Sequence, residues 1–337
     1  MADQVREVSA LRTARVAATM LRYRIASLLL PFLLLGPALH ERLNGFRWTY
    51  VAAAVALGAS YIVATCLNDI FDVEIDRINH PHAQDRLLVS GEATRGQLLA
   101  IAATFAIVAL VSAATIGAMA TAVVVASLLL NFAYSVPPLR LCARAVPAPA
   151  MLSIAYVAVP YALGLSASGV AADWRDTRAV ACFVILFIGR MLLKDFRDRR
   201  GDEAFGKRTF LLTFGKRNTI LAVLVCVLAG DVLLLWVLPP NVVLVAMIET
   251  YFAAILLQLY RLSQVTDADD ERTAIALGAR MGNAVVLTLL GVALLESAGA
   301  GPFAQSLFAL FLGAMFWSMF AYISRRNDLP AVVNAGV

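Results

Sequence analysis

The fold of this chain is decided by one stretch, "RWTYVAAAVALGASYIVATCLNDIFDVEIDRINHP" at Arg47–Pro81. Its first twenty residues carry a single charge, and a helix needs about 20 apolar residues to cross the hydrocarbon core of a bilayer. A cluster of acids then follows within eight residues: Asp69, Asp72, Glu74 and Asp76. The stretch therefore predicts a membrane helix that ends in a group of carboxylates at the water boundary.

Composition extends this interpretation to the whole chain. Of its 337 residues 61% are hydrophobic and 15% are charged, and the mean hydropathy is +0.79, whereas soluble domains have about 25% charged residues. The apolar segments follow one another without a long polar linker, so we predict one integral membrane domain over 24–325. An N-terminal segment, 1–23, and a C-terminal tail, 326–337, flank it.

Ten apolar segments are candidates for membrane-spanning helices. The predicted fold class is therefore all-α, a polytopic membrane bundle of nine or ten transmembrane helices. The candidate segments are 24–42, 48–69, 96–116, 118–137, 147–169, 177–196, 217–238, 241–261, 279–299 and 302–323.

Successive loops between the predicted spans lie on alternate sides of the membrane, and the two sides differ greatly in their number of basic residues. All but four of the 28 Lys and Arg lie in or beside the loops that share a side with both termini; the exceptions are Arg42, Arg47, Arg175 and Arg178. By the positive-inside rule, both termini and the acids face the cytoplasm. The segment 1–23 interleaves basic and apolar residues, which predicts an interfacial helix on anionic lipid. We expect an integral protein of a bacterial cell membrane, with no nucleic-acid partner because no basic folded face is evident.

A second acid cluster stands at the end of the sixth candidate helix, in "GRMLLKDFRDRRGDEAFGKRT" at 189–209. Its members are three and four residues apart, which puts their side chains on one helical face. Four predicted spans separate the two clusters, an even number, so both clusters are expected on the same side of the membrane. The second cluster consists of Asp195, Asp198 and Asp202.

Like charges gathered in this way repel unless a cation lies between them. Oxygen ligands of this kind suit Mg²⁺, which keeps several waters and recruits substrate phosphates to complete its octahedron. Carboxylates, Mg²⁺ and basic groups in one place predict a site for a diphosphate; the alternative is two solvated charged faces beside the membrane. The basic residues interleaved with the acids are Arg77, Arg86, Arg190, Lys194, Arg197, Lys207 and Arg208.

These residues carry a family resemblance. The pattern N-D-x-x-D-x-x-x-D at Asn68–Asp76, followed by D-x-x-D-x-x-x-D at Asp195–Asp202, resembles the motifs of the UbiA superfamily of intramembrane prenyltransferases. "RLLVSG" (Arg86–Gly91) is similar to the family's R-P-L-x-S-G loop, and "YSVPPLRL" (Tyr134–Leu141) to its Y-S-x-P-P-x-R-L segment. The resemblance implies a helix bundle around a central cavity. It also implies an isoprenoid diphosphate substrate, an aromatic or lipid acceptor in the bilayer, and Mg²⁺ as the cofactor.

The resemblance also implies roles for individual positions. One Mg²⁺ would be held by Asn68, Asp72 and Asp76, and the other by Asp195, Asp198 and Asp202. Asp72 and Asp198 are the acids on which we expect catalysis to depend, and Tyr134 is a candidate to stabilise an allylic cation through its π face. The candidates for binding the diphosphate oxygens are Arg77, Arg86, Lys194 and Lys207.

Some positions depart from the family pattern. Leu87 stands where the family usually has Pro, and the tenth candidate helix exceeds the usual nine. Cys142 stands where many members have a Lys, which favours a neutral or phenolic acceptor, or none. We also expect Cys142 to be accessible to thiol reagents in its loop. His80 and His82 are interpreted as solvated loop residues, since no third soft ligand for Zn²⁺ accompanies them.

Two other functions compete with prenyl transfer. In a terpene cyclase of the same superfamily, a double bond of the substrate itself would capture the cation. In a membrane transporter, the acids would form a cation site. Transporters place charged residues near the middle of the membrane and often have inverted repeats. The centres of the predicted spans are nearly free of charge, which favours an enzyme over a transporter.

Overall fold

The computed structural model describes residues 13–325 apart from 44, 46, 82–84 and 239, and in that part the chain is a helical bundle without a β-strand. Eight of its helices are long and apolar enough to cross a membrane. The all-α membrane bundle predicted from the sequence is therefore confirmed. The eight helices are α2 (Trp48–Asn79), α3 (Arg95–Ala114), α4 (Ala118–Ser135), α5 (Pro147–Ser168), α7 (Phe210–Leu235), α8 (Val242–Gln264), α9 (Ala268–Ser297) and α10 (Pro302–Ser324).

Two further helices correspond to the other predicted spans. The first, α1 (Leu29–Leu39), has 11 residues and a length of only about 16 Å, so it is too short to cross the bilayer alone. The second, α6 (Trp174–Ala204), has 31 residues, but Arg178, Arg190 and Lys194 interrupt its apolar stretch. The ten predicted segments therefore correspond to eight long apolar helices, one short helix and one long helix with internal charges.

The helices that carry the acids extend well beyond the predicted spans. α2 was expected to end near residue 69 and continues to Asn79, and α6 was expected to end near residue 196 and continues to Ala204. The acids of each motif therefore lie on a continuous helix rather than in a loop. This extension keeps the spacing of three and four residues on one face of each helix.

α5 contains a short π-helical segment, Ile154–Ala158, before its last ten residues. Pro160 stands two residues after this segment; proline has no N–H to donate, and its ring clashes with the carbonyl of the residue four positions before it. That position is Tyr156, in the middle of the widened turn. Widened turns of this kind often accompany functional sites, and here Tyr156 lines the central cavity.

The bundle is closed by contacts between elements far apart in the chain. α2 packs against α3, α4 and α6, whereas α1 packs against α5 and α9. Residues 13–20 are also helical, and Val16, Ala17 and Met20 are buried with side chains of α2 and α3. Most of the predicted N-terminal segment, 1–12, together with the predicted tail at 326–337 and His82, lies outside the described residues.

Candidate active site

The two acid motifs meet where α2 and α6 approach each other. The backbone N–H of Gly201, in the second motif, donates a hydrogen bond of 2.7 Å to Asn79 Oδ1 at the end of α2. A β-carbon at position 201 would lie 2.6 Å from the Asn79 side chain, so only glycine permits this approach. The ends of the two helices are thereby fixed side by side.

All six side chains predicted as metal ligands line a single polar pocket between α2 and α6. Tyr134 and three of the four basic residues predicted to bind the diphosphate line it as well. The pocket therefore combines carboxylates, an amide and cations contributed by separate parts of the chain. The ten residues are Asn68, Asp72, Asp76, Asp195, Asp198, Asp202, Tyr134, Arg86, Lys194 and Lys207.

Asp69 connects the pocket to the N-terminal part of the chain. Its carboxylate is 2% exposed and accepts hydrogen bonds from Arg22 Nη2 at 2.7 Å and from Arg86 Nη1 at 2.5 Å. Arg86 also lies 2.8 Å from Asp76 Oδ2. Burial opposes the charge on Arg86, but Asp69 and Asp76 outweigh this effect and raise the pKa of Arg86 above its usual range. Arg86 is therefore held charged at the mouth of the pocket.

Asp72 lies at the centre of the ion pairs. Lys207 Nζ is 2.9 Å from one of its oxygens, and Arg140 Nη2 is 2.8 Å from the other. Lys207 also lies 3.3 Å from Asp202, so it bridges the first motif and the second. Burial alone would lower the pKa of Lys207, but Asp72 and Asp202 outweigh it and raise that pKa. The two acid motifs are thus joined through one buried ammonium group.

Within the second motif, Asp198 has three basic neighbours. Asp198 lies 3.3 Å from His80 Nε2, 3.0 Å from Arg197 Nε and 3.6 Å from Lys194 Nζ. Asp195 accepts a longer hydrogen bond, 3.4 Å, from the backbone N–H of Leu211. His80, which was interpreted as a solvated loop residue, therefore contacts an acid of the second motif.

Arg77 differs from the other basic residues predicted for the diphosphate. Its guanidinium pairs with Glu74 one turn earlier on α2, at 2.6 Å, and about half of its side chain is exposed. It is absent from the described lining of the polar pocket. Within the described residues, Arg77 is therefore separate from the pocket that Arg86, Lys194 and Lys207 line.

An apolar cavity of about 300 Å³ adjoins the polar pocket. Its described lining comes from α1, α2 and α4 to α9, whereas α3 and α10 do not contribute. The cavity and the pocket share Asn68, Arg86, Tyr134 and Lys194 among their lining residues. The two spaces therefore form one site, with a polar end at the acid motifs and an apolar end inside the bundle.

Aromatic rings cover part of the apolar wall. Tyr156 stacks on Phe187 with ring centres 5.9 Å apart, and Tyr61 meets Tyr156 edge to face at 6.3 Å. Tyr134 and Phe183 line the same cavity. These π faces are a suitable environment for a short-lived carbocation.

Comparison with known proteins agrees with this geometry. Residues 29–283 match the model of the UbiA prenyltransferase family, which covers most of the chain. The chain belongs to the UbiA prenyltransferase family. The two acid motifs and the loop that begins at Arg86 all lie within the matched part, as expected from the resemblance of the motifs.

Individual UbiA relatives align over shorter stretches. The chain is 31% identical over 209 residues to 2-acylphloroglucinol 4-prenyltransferase of Humulus lupulus, which covers 56% of this chain and 47% of that protein. It is 29% identical over 201 residues to homogentisate phytyltransferase of Synechocystis, which covers 56% and 62%. The chain thus spans less than two thirds of the length of these curated relatives.

Solved UbiA structures share the fold. A structure of digeranylgeranylglyceryl phosphate synthase superposes with a TM-score of 0.64 at 17% identity, over 84% of this chain and 99% of that one. A UbiA homolog from Archaeoglobus fulgidus, bound to DMAPP and Mg²⁺, superposes with a TM-score of 0.54 at 14% identity, over 89% and 97%. At these identities the likeness establishes the architecture.

Two arginines that contact acids of the first motif, Arg22 and Arg140, were not singled out from the sequence. Arg22 counted only as part of a basic N-terminal segment, although its contact with Asp69 spans 47 positions of the chain. Arg140 lies inside the quoted "YSVPPLRL" motif, and its left-handed backbone conformation (φ 37°) accompanies its bond to Asp72. The family motif was the signal that pointed to Arg140, whereas no local signal identified Arg22.

Cys142 also differs from the expectation. It lies in a short 3₁₀ turn, Leu141–Ala143, and is 7% exposed rather than accessible in its loop. Burial, followed by the negative charge of Asp72, raises the pKa of its thiol. Cys142 is therefore unsuitable as a reporter of membrane sidedness.

Proposed function

We propose that this protein ionises an isoprenoid diphosphate with the help of Mg²⁺ and transfers the prenyl group to an aromatic or lipid acceptor. The observation that carries this proposal is the union of the acid-lined pocket with the apolar cavity. A prenyl diphosphate has the same two parts, a polyanionic head and a hydrocarbon tail. The relatives named above are prenyltransferases, which supports the same reaction class.

The donor set of the polar pocket fits Mg²⁺. It offers carboxylate and amide oxygens, which a hard cation prefers. Asp76 Oδ2 is buried and accepts no hydrogen bond from any described residue, although Arg86 Nη1 lies 2.8 Å away. We propose Asn68, Asp72 and Asp76 as one ligand group and Asp195, Asp198 and Asp202 as the other. When bound, Mg²⁺ neutralises charge on the departing diphosphate.

The protein's own residues orient the substrate. Arg86, Lys194 and Lys207 border the polar pocket and carry the positive charges that bind the phosphoryl oxygens. The allylic carbon would then lie near Tyr134, which lines both the pocket and the cavity. The apolar wall excludes water, so the acceptor rather than water captures the carbocation.

The orientation in the membrane is part of this proposal. The charge distribution of the loops supports a cytoplasmic location for both acid motifs. The apolar segments follow one another without a long polar linker, and we assign 24–325 as one domain of a bacterial cell-membrane protein, with 1–23 before it and the tail 326–337 after it. The site would then receive its soluble substrates and Mg²⁺ from the cytoplasm.

Sidedness can be tested with single cysteines placed in a variant that lacks the four native ones. Val146 is 61% exposed in the loop before α5, and Ala172 is exposed in the loop before α6. A membrane-impermeant maleimide is expected to label Val146→Cys only in inside-out vesicles and Ala172→Cys only in right-side-out vesicles. The reversed pattern would overturn the proposed orientation.

The reaction itself can be tested with purified protein in lipid nanodiscs. We expect labelled C10 to C20 prenyl diphosphates to be consumed with Mg²⁺, and the label to appear in an added phenolic or glyceryl phosphate acceptor. EDTA should stop the reaction, and excess Mg²⁺ should restore it. A cyclic hydrocarbon formed without any acceptor would instead indicate a terpene cyclase. Mg²⁺-independent binding without turnover would contradict both enzymatic functions.

A further inference from the structure

Arg190 lies inside the bundle, on the wall of the apolar cavity. It stands one turn before Lys194 on α6, and its Nη1 donates a hydrogen bond of 2.6 Å to Asn283 Oδ1 on α9. Its guanidinium also lies 5.4 Å from the centre of the Phe187 ring. No Asp or Glu oxygen lies within 4 Å of it among the residues that the structure describes.

The other charged residues of the cavity lining, unlike Arg190, each have an acidic partner. Every charged side chain in the described lining is basic. Arg22 and Arg86 pair with Asp69, whereas Lys194 and Arg197 pair with Asp198. Among the charged residues of that described lining, Arg190 is the one without an acidic partner. A charge in an apolar environment is costly, and a charge inside a membrane domain commonly marks a binding site.

Another polar side chain on the same cavity wall has no hydrogen-bond partner among the described residues. Gln258 on α8 is 3% exposed, and among the described residues neither its Nε2 nor its Oε1, both buried, has a hydrogen-bond partner. Its β-carbon lies beside Gly278 of α9, and Gly282 follows one turn later, next to Asn283. A β-carbon added at Gly282 would meet no atom of the described residues beyond its own helix within 4 Å, so the space in front of this turn is open.

We propose that Arg190 and Gln258 bind an anionic group of the acceptor, a carboxylate or a phosphate, against the segment 278–283 of α9. The anion supplies the counter-charge that Arg190 lacks, and Gln258 donates an N–H to it or accepts from a neighbouring hydroxyl. This assignment rests on the proposed prenyl transfer and deepens it by naming the acceptor class. It differs from the preference for a neutral or phenolic acceptor, or none, that the Cys142 position suggested.

The test measures equilibrium binding of paired acceptor probes to the full chain in nanodiscs, with Mg²⁺ and an unreactive geranyl diphosphate analogue present. One pair is homogentisate and its methyl ester; the other is geranylgeranylglyceryl phosphate and the phosphate-free alcohol. We expect at least one anionic probe to bind more tightly than its uncharged partner. The pair that shows this preference distinguishes a carboxylate from a phosphate. Equal binding within both pairs would overturn the proposal.

The residue assignment is tested with matched variants. Arg190→Gln should weaken binding of the preferred anion by at least about tenfold, as expected for hydrogen bonds to a charged group. The control is Arg280→Gln, because Arg280 is a neighbouring arginine on α9 that bonds its own helix at Ala276 O and is absent from the described cavity lining. It should change binding less than threefold. An anion preference that survives in Arg190→Gln would overturn the assignment.

Folding and the proposed reaction are checked in the same experiment. Binding of the geranyl diphosphate analogue should persist in Arg190→Gln, since its head group lies at the acid motifs. If that variant does not fold, Gly282→Leu serves instead, because its side chain fills the open space while leaving Arg190 and the acids in place. Failure of the wild-type protein to bind the analogue with Mg²⁺ would contradict the proposed function. The comparison of each anionic probe with its uncharged partner tests the anion site independently of that result.

Discussion

Replacing Asp72 or Asp198 by asparagine should lower prenyl transfer by about 10²–10³-fold in each case, a loss comparable to removing one preorganised electrostatic group from an active site. Asparagine keeps the shape of the side chain and removes its charge. The two acids come from different helices but face one pocket and act on one leaving group. The double variant should therefore lose far less than the product of the two single losses.

The measurement is the rate of product formation from a labelled prenyl diphosphate by purified protein in nanodiscs. Glu74→Gln is the matched control, because Glu74 is an exposed acid on the same helix that pairs with Arg77 outside the pocket. It should retain activity within about twofold of wild type, as expected of a surface ion pair. If the double variant Asp72→Asn, Asp198→Asn kept near wild-type turnover, and EDTA did not reduce that turnover, the metal–diphosphate site would be refuted.

Asp69, three residues before Asp72, should show a different defect. Asp69→Asn removes the buried carboxylate shared by Arg22 and Arg86, which leaves Arg22 with the exposed Asp85 at 3.4 Å and Arg86 with Asp76 at 2.8 Å. Breaking a buried ion pair from one side costs about 3–5 kcal/mol, so we expect a fall of that size in the free energy of unfolding. Adding Mg²⁺ should not restore this stability, because Asp69 is outside the proposed ligand groups.

The check is SDS-induced unfolding of the purified protein, followed by tryptophan fluorescence. Glu74→Gln is again the matched control and should change the free energy of unfolding by less than about 1 kcal/mol. Wild-type stability in Asp69→Asn would show that Arg22 and Arg86 do not depend on this carboxylate. Two neighbouring acids of one motif are thus expected to separate into a stabilising residue and a catalytic one.

The sequence was informative where one local pattern determined the structure. Runs of about 20 apolar residues identified the long helices, and spacing of three and four placed the acids of each motif on one face. The ends of α2 and α6 were misplaced because apolar content falls at the acids while the helix itself continues. At Ser135, by contrast, α4 ends within two residues of the prediction, just before the pair of prolines.

Contacts across the bundle were beyond what a single sequence could indicate. Gln258 lies in an ordinary apolar helix, and only the arrangement of α8 and α9 shows that both of its amide atoms lack partners. Lys207 was predicted from its position after the second motif, whereas its bridge from Asp72 to Asp202 depends on where α2 lies. Local charge therefore identified the basic residues, and tertiary packing selected their partners.

The connection between Arg22 and Asp69 has a consequence for biogenesis. At synthesis rates of about 5–20 residues per second, Asp69 emerges roughly 2–9 s after Arg22, and Arg86 soon afterwards. The acids Asp69 and Asp76 can thus be neutralised by residues already translated nearby, before α6 exists. Asp72 gains Arg140 68 positions later, also before α6, and its second partner, Lys207, follows only 135 positions later. The nascent chain would therefore insert the first acid motif already paired with arginines. The site would be complete once α6 and Lys207 have been synthesised.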